Sequence, residues 1–105
     1  MIARVWYAWT KPEQADAYER FLRDDIFPAV RNKNYDGLSG LDLLRRSAGP
    51  EIEFVTIIWF DSLDNVRAFA GHNYQRAVVA DEDRRLLSRF SEHVQHFDVS
   101  ASARF

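Results

Sequence analysis

Phe54-Val55-Thr56-Ile57-Ile58-Trp59-Phe60 is a nearly unbroken run of apolar, β-branched and aromatic side chains. Such a run suits a strand at the centre of a sheet, covered on both faces. The strand is expected over 53–60. Ala48-Gly49-Pro50-Glu51 ahead of it has turn chemistry, so a strand over 41–47 should precede it as the other arm of an antiparallel hairpin. Behind it, Asp61 or Ser62 can cap a helix with an apolar face of Leu63, Val66, Phe69 and Ala70. Gly71 is placed to end that helix.

Working outward, Ile2 to Trp9 reads as a first strand. Ala3, Val5, Tyr7 and Trp9 face one way; Ile2, Arg4, Trp6 and Ala8 face the other. Both sets are largely apolar, so this strand too should be covered on both sides. Thr10-Lys11-Pro12-Glu13 resembles a helix start, with Thr10 as cap and Glu13 completing a capping box. Ala15, Tyr18, Leu22 and Ile26 then fall on one helical face. Pro28 predicts a kink or break near Asp25 to Phe27, with a helical remnant to Arg31. Residues 32–40 read as loop, 72–80 as irregular, 81–87 as a short helix with an acidic first turn and 90–99 as the last strand. The tail 100–105 is expected to be loose.

The order β-α-β-β-α-(α)-β predicts one α+β domain over 1–105, a ferredoxin-like βαββαβ fold with a four-stranded antiparallel sheet. Two helices cover only one face of such a sheet. The other face would carry an apolar patch larger than monomers usually expose, so pairing of two sheets into a homodimer is the expectation.

Composition narrows the function classes. No cysteine is present, which removes disulfides, zinc-thiolate sites and thiol nucleophiles. The net charge of -2 comes from interspersed acids and bases, giving no basic footprint for nucleic acid. No apolar run approaches the ~20 residues of a membrane helix. The first residues lack the regions of a signal peptide, so the expected location is the cytoplasm. Aromatic residues make up 14% of the chain, enough to line a pocket or a subunit interface as well as a core. No phosphate loop, nucleophile elbow or paired-carboxylate signature occurs.

Several stretches carry a family likeness: Ile58-Trp59-Phe60-Asp61-Ser62, Phe69-Ala70-Gly71, Tyr74 with Ala77-Val78-Val79, and Leu86-Leu87 through His96-Phe97-Asp98-Val99. With the element order and length, they make the chain resemble the antibiotic-biosynthesis-monooxygenase-like members of the dimeric α+β-barrel superfamily. The resemblance covers nearly the whole chain. It implies a homodimer whose sheet faces close into a barrel, with a pocket in each subunit between sheet and helices. It also implies chemistry drawn from a mixed set. Some relatives oxidise quinols, hydroxyanthrones or related phenolics with molecular oxygen and neither metal nor flavin. Some degrade haem. Others are polyketide cyclases or isomerases, or have no known activity.

By that resemblance, Trp59 lines the pocket and stacks on a flat aromatic substrate. Its face would then be shared by Ile57, Val5 and Tyr7, with Tyr7 able to bond a substrate hydroxyl. Val5 stands near where some relatives carry a catalytic Asn, a group missing here. His72-Asn73-Tyr74 follows the second helix at the expected pocket mouth, and His72 is the first base to consider. Where haem-degrading relatives place a ligating His, this chain has Ala77 and Val78, so no haem ligand matches. His93 and His96 lie three apart, on opposite faces of a strand, and do not form a metal pair there. His96 alone could reach the pocket. The leading expectation is a cofactor-free monooxygenase acting on a planar phenol or quinol, with no cofactor and no metal. The alternatives are a non-oxidative cyclase or isomerase of the same fold, and a non-catalytic small-molecule-binding or stress-associated protein.

Overall fold

A computed structural model describes all 105 residues. Strand β1 (Ile2–Thr10) leads into α1 (Pro12–Phe21), a π-helical turn (Leu22–Ile26) and α2 (Phe27–Asn32). The hairpin β2 (Leu38–Ala48) and β3 (Glu51–Phe60) follows, then α3 (Leu63–Ala70), α4 (Asp81–Leu86) and two short strands, β4 (Arg89–Phe90) and β5 (Gln95–Asp98). The sheet is antiparallel throughout, in the order β2-β3-β1, with β4 and β5 sharing the far edge of β1. No helix is long and apolar enough to cross a membrane.

The β3 run lies between β2 and β1, and its register with β1 is continuous from Ile2↔Phe60 to Thr10↔Ile52. The expected single last strand is instead broken. Glu92 to Val94 leaves β1 and bonds the loop after α3: Ala77 N–H donates to Glu92 O and Val94 N–H to Gln75 O. That excursion buries Val94.

Thr10 does not cap α1. It ends β1 fully buried, and Lys11 occupies the cap position with no side-chain bond. Near the kink or break expected at Asp25 to Phe27, the regular α-helix gives way to the π turn and resumes as α2, which runs to Asn32. Phe27 N–H bonds Leu22 O, five residues back, so the turn ahead of Pro28 is wider. The wider turn relieves the contact between the proline ring and the carbonyl four residues earlier. Ser62 caps α3, accepting the Asn65 N–H at 3.3 Å, and Gly71 ends it at φ +87°.

The helices lie on the face of Arg4, Trp6, Ala8, Phe54 and Phe60. Ala15, Tyr18 and Leu22 pack on Phe54, with the Tyr18 and Phe54 rings edge to face at 4.9 Å. Val66 packs with Phe60 and Ile2. These two clusters bracket the middle of the strands rather than joining into one core. Only 15 of 105 residues are buried, so the space between the clusters remains unfilled.

Candidate functional site

That space is a cavity of about 460 Å³. Its floor is the middle of the sheet: Trp6 faces Thr56 and Arg4 faces Ile58 across the β1–β3 register. Its wall is the helical stretch around the π turn, which presents Leu22, Ile26, Phe27 and Val30. The extra residue per turn is what lets this stretch keep turning its apolar side to the sheet past Pro28. Ala77, Val78 and Asp83 close the rim from the segment after α3 and from α4.

The lining is mostly apolar, which makes its polar groups informative. Arg4 is 7% exposed, and no carboxylate lies within salt-bridge distance of it. Nη1 donates to Tyr74 O at 2.6 Å and to His96 Nε2 at 3.0 Å. The guanidinium also lies 5.7 Å from the centre of the Phe69 ring. Burial lowers its pKa to about 10. A buried cation held by neutral acceptors alone is costly, because no anion offsets its lost hydration. It is therefore poised to receive one.

His96 must present an unprotonated Nε2 to accept from Arg4. Burial, and secondarily the Arg4 charge, lower its pKa and favour that neutral form. The Tyr74 ring stands edge-on to the imidazole at 5.2 Å and fixes its plane. The Trp6 indole N–H is committed to Ser91 O at 2.7 Å, so Trp6 offers the cavity a ring and not a donor.

The sequence expectation about facing is overturned. Trp59, Ile57, Val5 and Tyr7 sit on the face away from the helices. Trp59 instead bonds Asp42, its indole N–H donating to Oδ2 at 2.7 Å. The helices select the alternate residues because Phe54 and Phe60 carry the packing onto α1 and α3, and a one-residue change of parity exchanges the faces. His72 and Asn73 are exposed in the turn after α3 and do not line the cavity. Tyr74 and His96 do reach it, through Arg4. Arg4, Trp6 and Asp83 went unnoticed as site residues. A lone arginine in the middle of a both-sides-apolar strand was the available signal for the first.

On the opposite face, Ala3, Val5, Tyr7, Val55, Ile57 and Trp59 form an apolar band, with Leu44 48% and Phe97 52% exposed beside it.

No protein-family model matches the sequence, and no curated protein matches it. Solved structures do match. Rv0793 from Mycobacterium tuberculosis is 20% identical over 98% of both chains, with a TM-score of 0.60. A Bacillus cereus protein provisionally named an antibiotic biosynthesis monooxygenase is 15% identical over 99% of this chain and 96% of its own, with a TM-score of 0.63. The haem-degrader MhuD from M. tuberculosis, solved with two haems in its active site, is 21% identical over 99% of this chain and 100% of its own, with a TM-score of 0.56. The fold is that of the antibiotic-biosynthesis-monooxygenase-like proteins. At these identities the likeness concerns architecture, and the chemistry has to be argued from the residues.

For haem, the residues do not fit an imidazole or thiolate ligand. No histidine lines the cavity, Ala77 and Val78 occupy its rim, and the chain has no cysteine. His96 Nε2, which lies against Arg4 of the lining, is taken by that arginine.

Proposed function

We propose that this protein binds a planar phenol or quinol-type small molecule in the cavity between sheet and helices and oxidises it with molecular oxygen, without a cofactor. The observation that carries the reading is Arg4, a buried guanidinium with no carboxylate partner in a mostly apolar cavity. A phenolate oxygen is the anion such a site would accept. Desolvation inside the cavity would strengthen that pairing. The monooxygenase fold of its structural neighbours supports the same reading.

In this reading the apolar walls and the Trp6 ring hold the substrate flat, and Arg4 stabilises the oxyanion. The electron-rich anion then reacts with oxygen directly. A quinol loses two electrons and two protons, which dioxygen takes up as hydrogen peroxide. A hydroxyanthrone takes one oxygen atom at its methylene carbon, and the other leaves as water.

The same fold pairs two copies in our reading, through the apolar face that carries Ile57 and Trp59. The exposed Leu44 and Phe97 beside that face support it.

The test is oxygen uptake by metal-stripped protein with a panel of quinols and hydroxyanthrones, with product masses followed in parallel. Uptake above the protein-free rate, lost in Arg4→Met, is the expected result. Uptake equal to the protein-free rate across the panel would sink the oxygenase reading. A ligand retained unchanged would then point to a binding protein, a reading favoured by the absence of any histidine from the lining.

A further inference from the structure

The Arg4 guanidinium is only partly used. Both of its hydrogen bonds leave from Nη1, to Tyr74 O at 2.6 Å and to His96 Nε2 at 3.0 Å. Nη1 carries two N–H groups, so these neutral acceptors exhaust it. Nε–H and the N–H groups of Nη2 bond nothing in the protein, and no Asp or Glu pairs with the side chain. Nor are these nitrogens sealed. The sealed polar atoms without a partner belong to Thr10, Tyr18 and Asp83. Arg4 lines the cavity, and its open edge is what the cavity meets.

That edge has a fixed shape. Nε–H and one N–H of Nη2 point the same way, in one plane, and match the two oxygens of a carboxylate. A phenolate engages one of these N–H groups; a carboxylate engages both. Ionisation adds to the difference. A phenol, with a pKa of about 10, must give up its proton inside the cavity, whereas a carboxylic acid, with a pKa of about 4, enters as the anion.

The rest of the charged lining agrees. Lys33 is exposed at the edge of the cavity and adds a second positive charge. Asp83 is the one acid in the lining. Its Oδ2 accepts the Ala80 N–H and its Oδ1 is sealed, so neither oxygen competes for Arg4. The charge open to a ligand is therefore positive, within mostly apolar walls.

We infer that the cavity binds aromatic monocarboxylates, with the carboxylate held side-on by Nε–H and Nη2–H of Arg4 and the rings lying against Trp6. The inference rests on the reading of this cavity as an aromatic-binding site, and it adds a ligand class that requires no oxygen chemistry. Nη1 keeps its bonds to Tyr74 and His96 throughout, so the loop after α3 and the β5 edge stay in place when the acid binds.

The probe is calorimetric titration of the intact protein at neutral pH with 2-naphthoate and 2-naphthol, which share their rings. The naphthoate is expected to bind at least roughly tenfold more tightly, the margin of a charge-assisted bidentate pair over a single neutral hydrogen bond. Arg4→Lys keeps the positive charge and loses the fork, and it should weaken naphthoate binding roughly tenfold. Side-chain NMR of the nitrogen-labelled parent follows the same bond with no substitution. The Arg4 Nε–H proton should move downfield with 2-naphthoate and much less with 2-naphthol. Equal affinity for the two compounds, or naphthoate binding that leaves the Nε–H resonance in place, overturns the carboxylate inference and leaves the aromatic-site reading standing. No binding of either compound at millimolar concentration overturns both.

Discussion

Arg4 and His96 face each other across β1 and β5, and the arginine donates Nη1–H to the imidazole Nε2 over 3.0 Å. The contact joins two groups that would both be cations at low pH. It persists because burial and the neighbouring guanidinium keep the imidazole neutral. The same bond helps hold the β5 edge, paired over only four residues, onto β1.

A pH dependence of stability follows from that pair. The folded-state pKa of His96 lies below its ordinary value of 6.5. The unfolded chain therefore takes up the proton first as pH falls. Stability from this group is complete above 6.5 and is lost as pH falls through the lowered folded value. His96→Gln keeps an acceptor for Arg4 and cannot titrate. Denaturant midpoints at about pH 7.5 and about pH 5 should differ less in this variant than in the parent protein.

Replacing the cation itself separates binding from folding. Arg4→Met removes a buried charge with no anionic partner but also frees the Tyr74 carbonyl and His96 from their donor. These effects oppose each other, so the stability change is expected to stay within about 1 kcal/mol. Affinity for aromatic anions should fall at least roughly tenfold. Urea unfolding and calorimetry on the same preparation check both halves.

The face away from the helices carries its own test. Ile57 lies at its centre, flanked by Val5 and Trp59. The proposed homodimer should scatter light as twice the 12.3 kDa chain mass. Ile57→Lys would bury a charge in that contact and should return the chain to monomer, while naphthoate binding on the other face changes little. A parent protein that is monomeric at micromolar concentration would remove the sheet-pairing proposal.

The turn before β2 should be intolerant of a side chain. Gly37 has φ +74°, and a Cβ there would run into the Asn65 side chain at the start of α3. Its carbonyl also accepts the Asp61 N–H at 2.8 Å. Gly37→Ala is expected to cost more than about 1 kcal/mol. Gly49→Ala shares the positive φ but meets open space, so it should cost less. Thermal melts of the two variants make the comparison.

The sequence by itself determined the elements and their order. The apolar run Phe54–Phe60 is central, its hairpin with β2 turns at Gly49-Pro50, and Ser62 and Gly71 bound α3, because each depends on local chemistry. The resemblance named from those stretches holds at the level of the fold. Only the tertiary structure decided which sheet face the helices cover. β1 and β3 are apolar on both faces, so alternation carried no direction, and the packing of Tyr18 on Phe54 and of Val66 on Phe60 settled it. That choice moved Trp59 and Tyr7 out of the cavity and Arg4 and Trp6 into it. Pro28 marked an irregularity in the helix but not its π form, and the break of the last strand at Glu92 to Val94 was beyond local reading. The strand break arises from a segment bonding to the loop after α3, and the π turn sets the helical wall of the cavity.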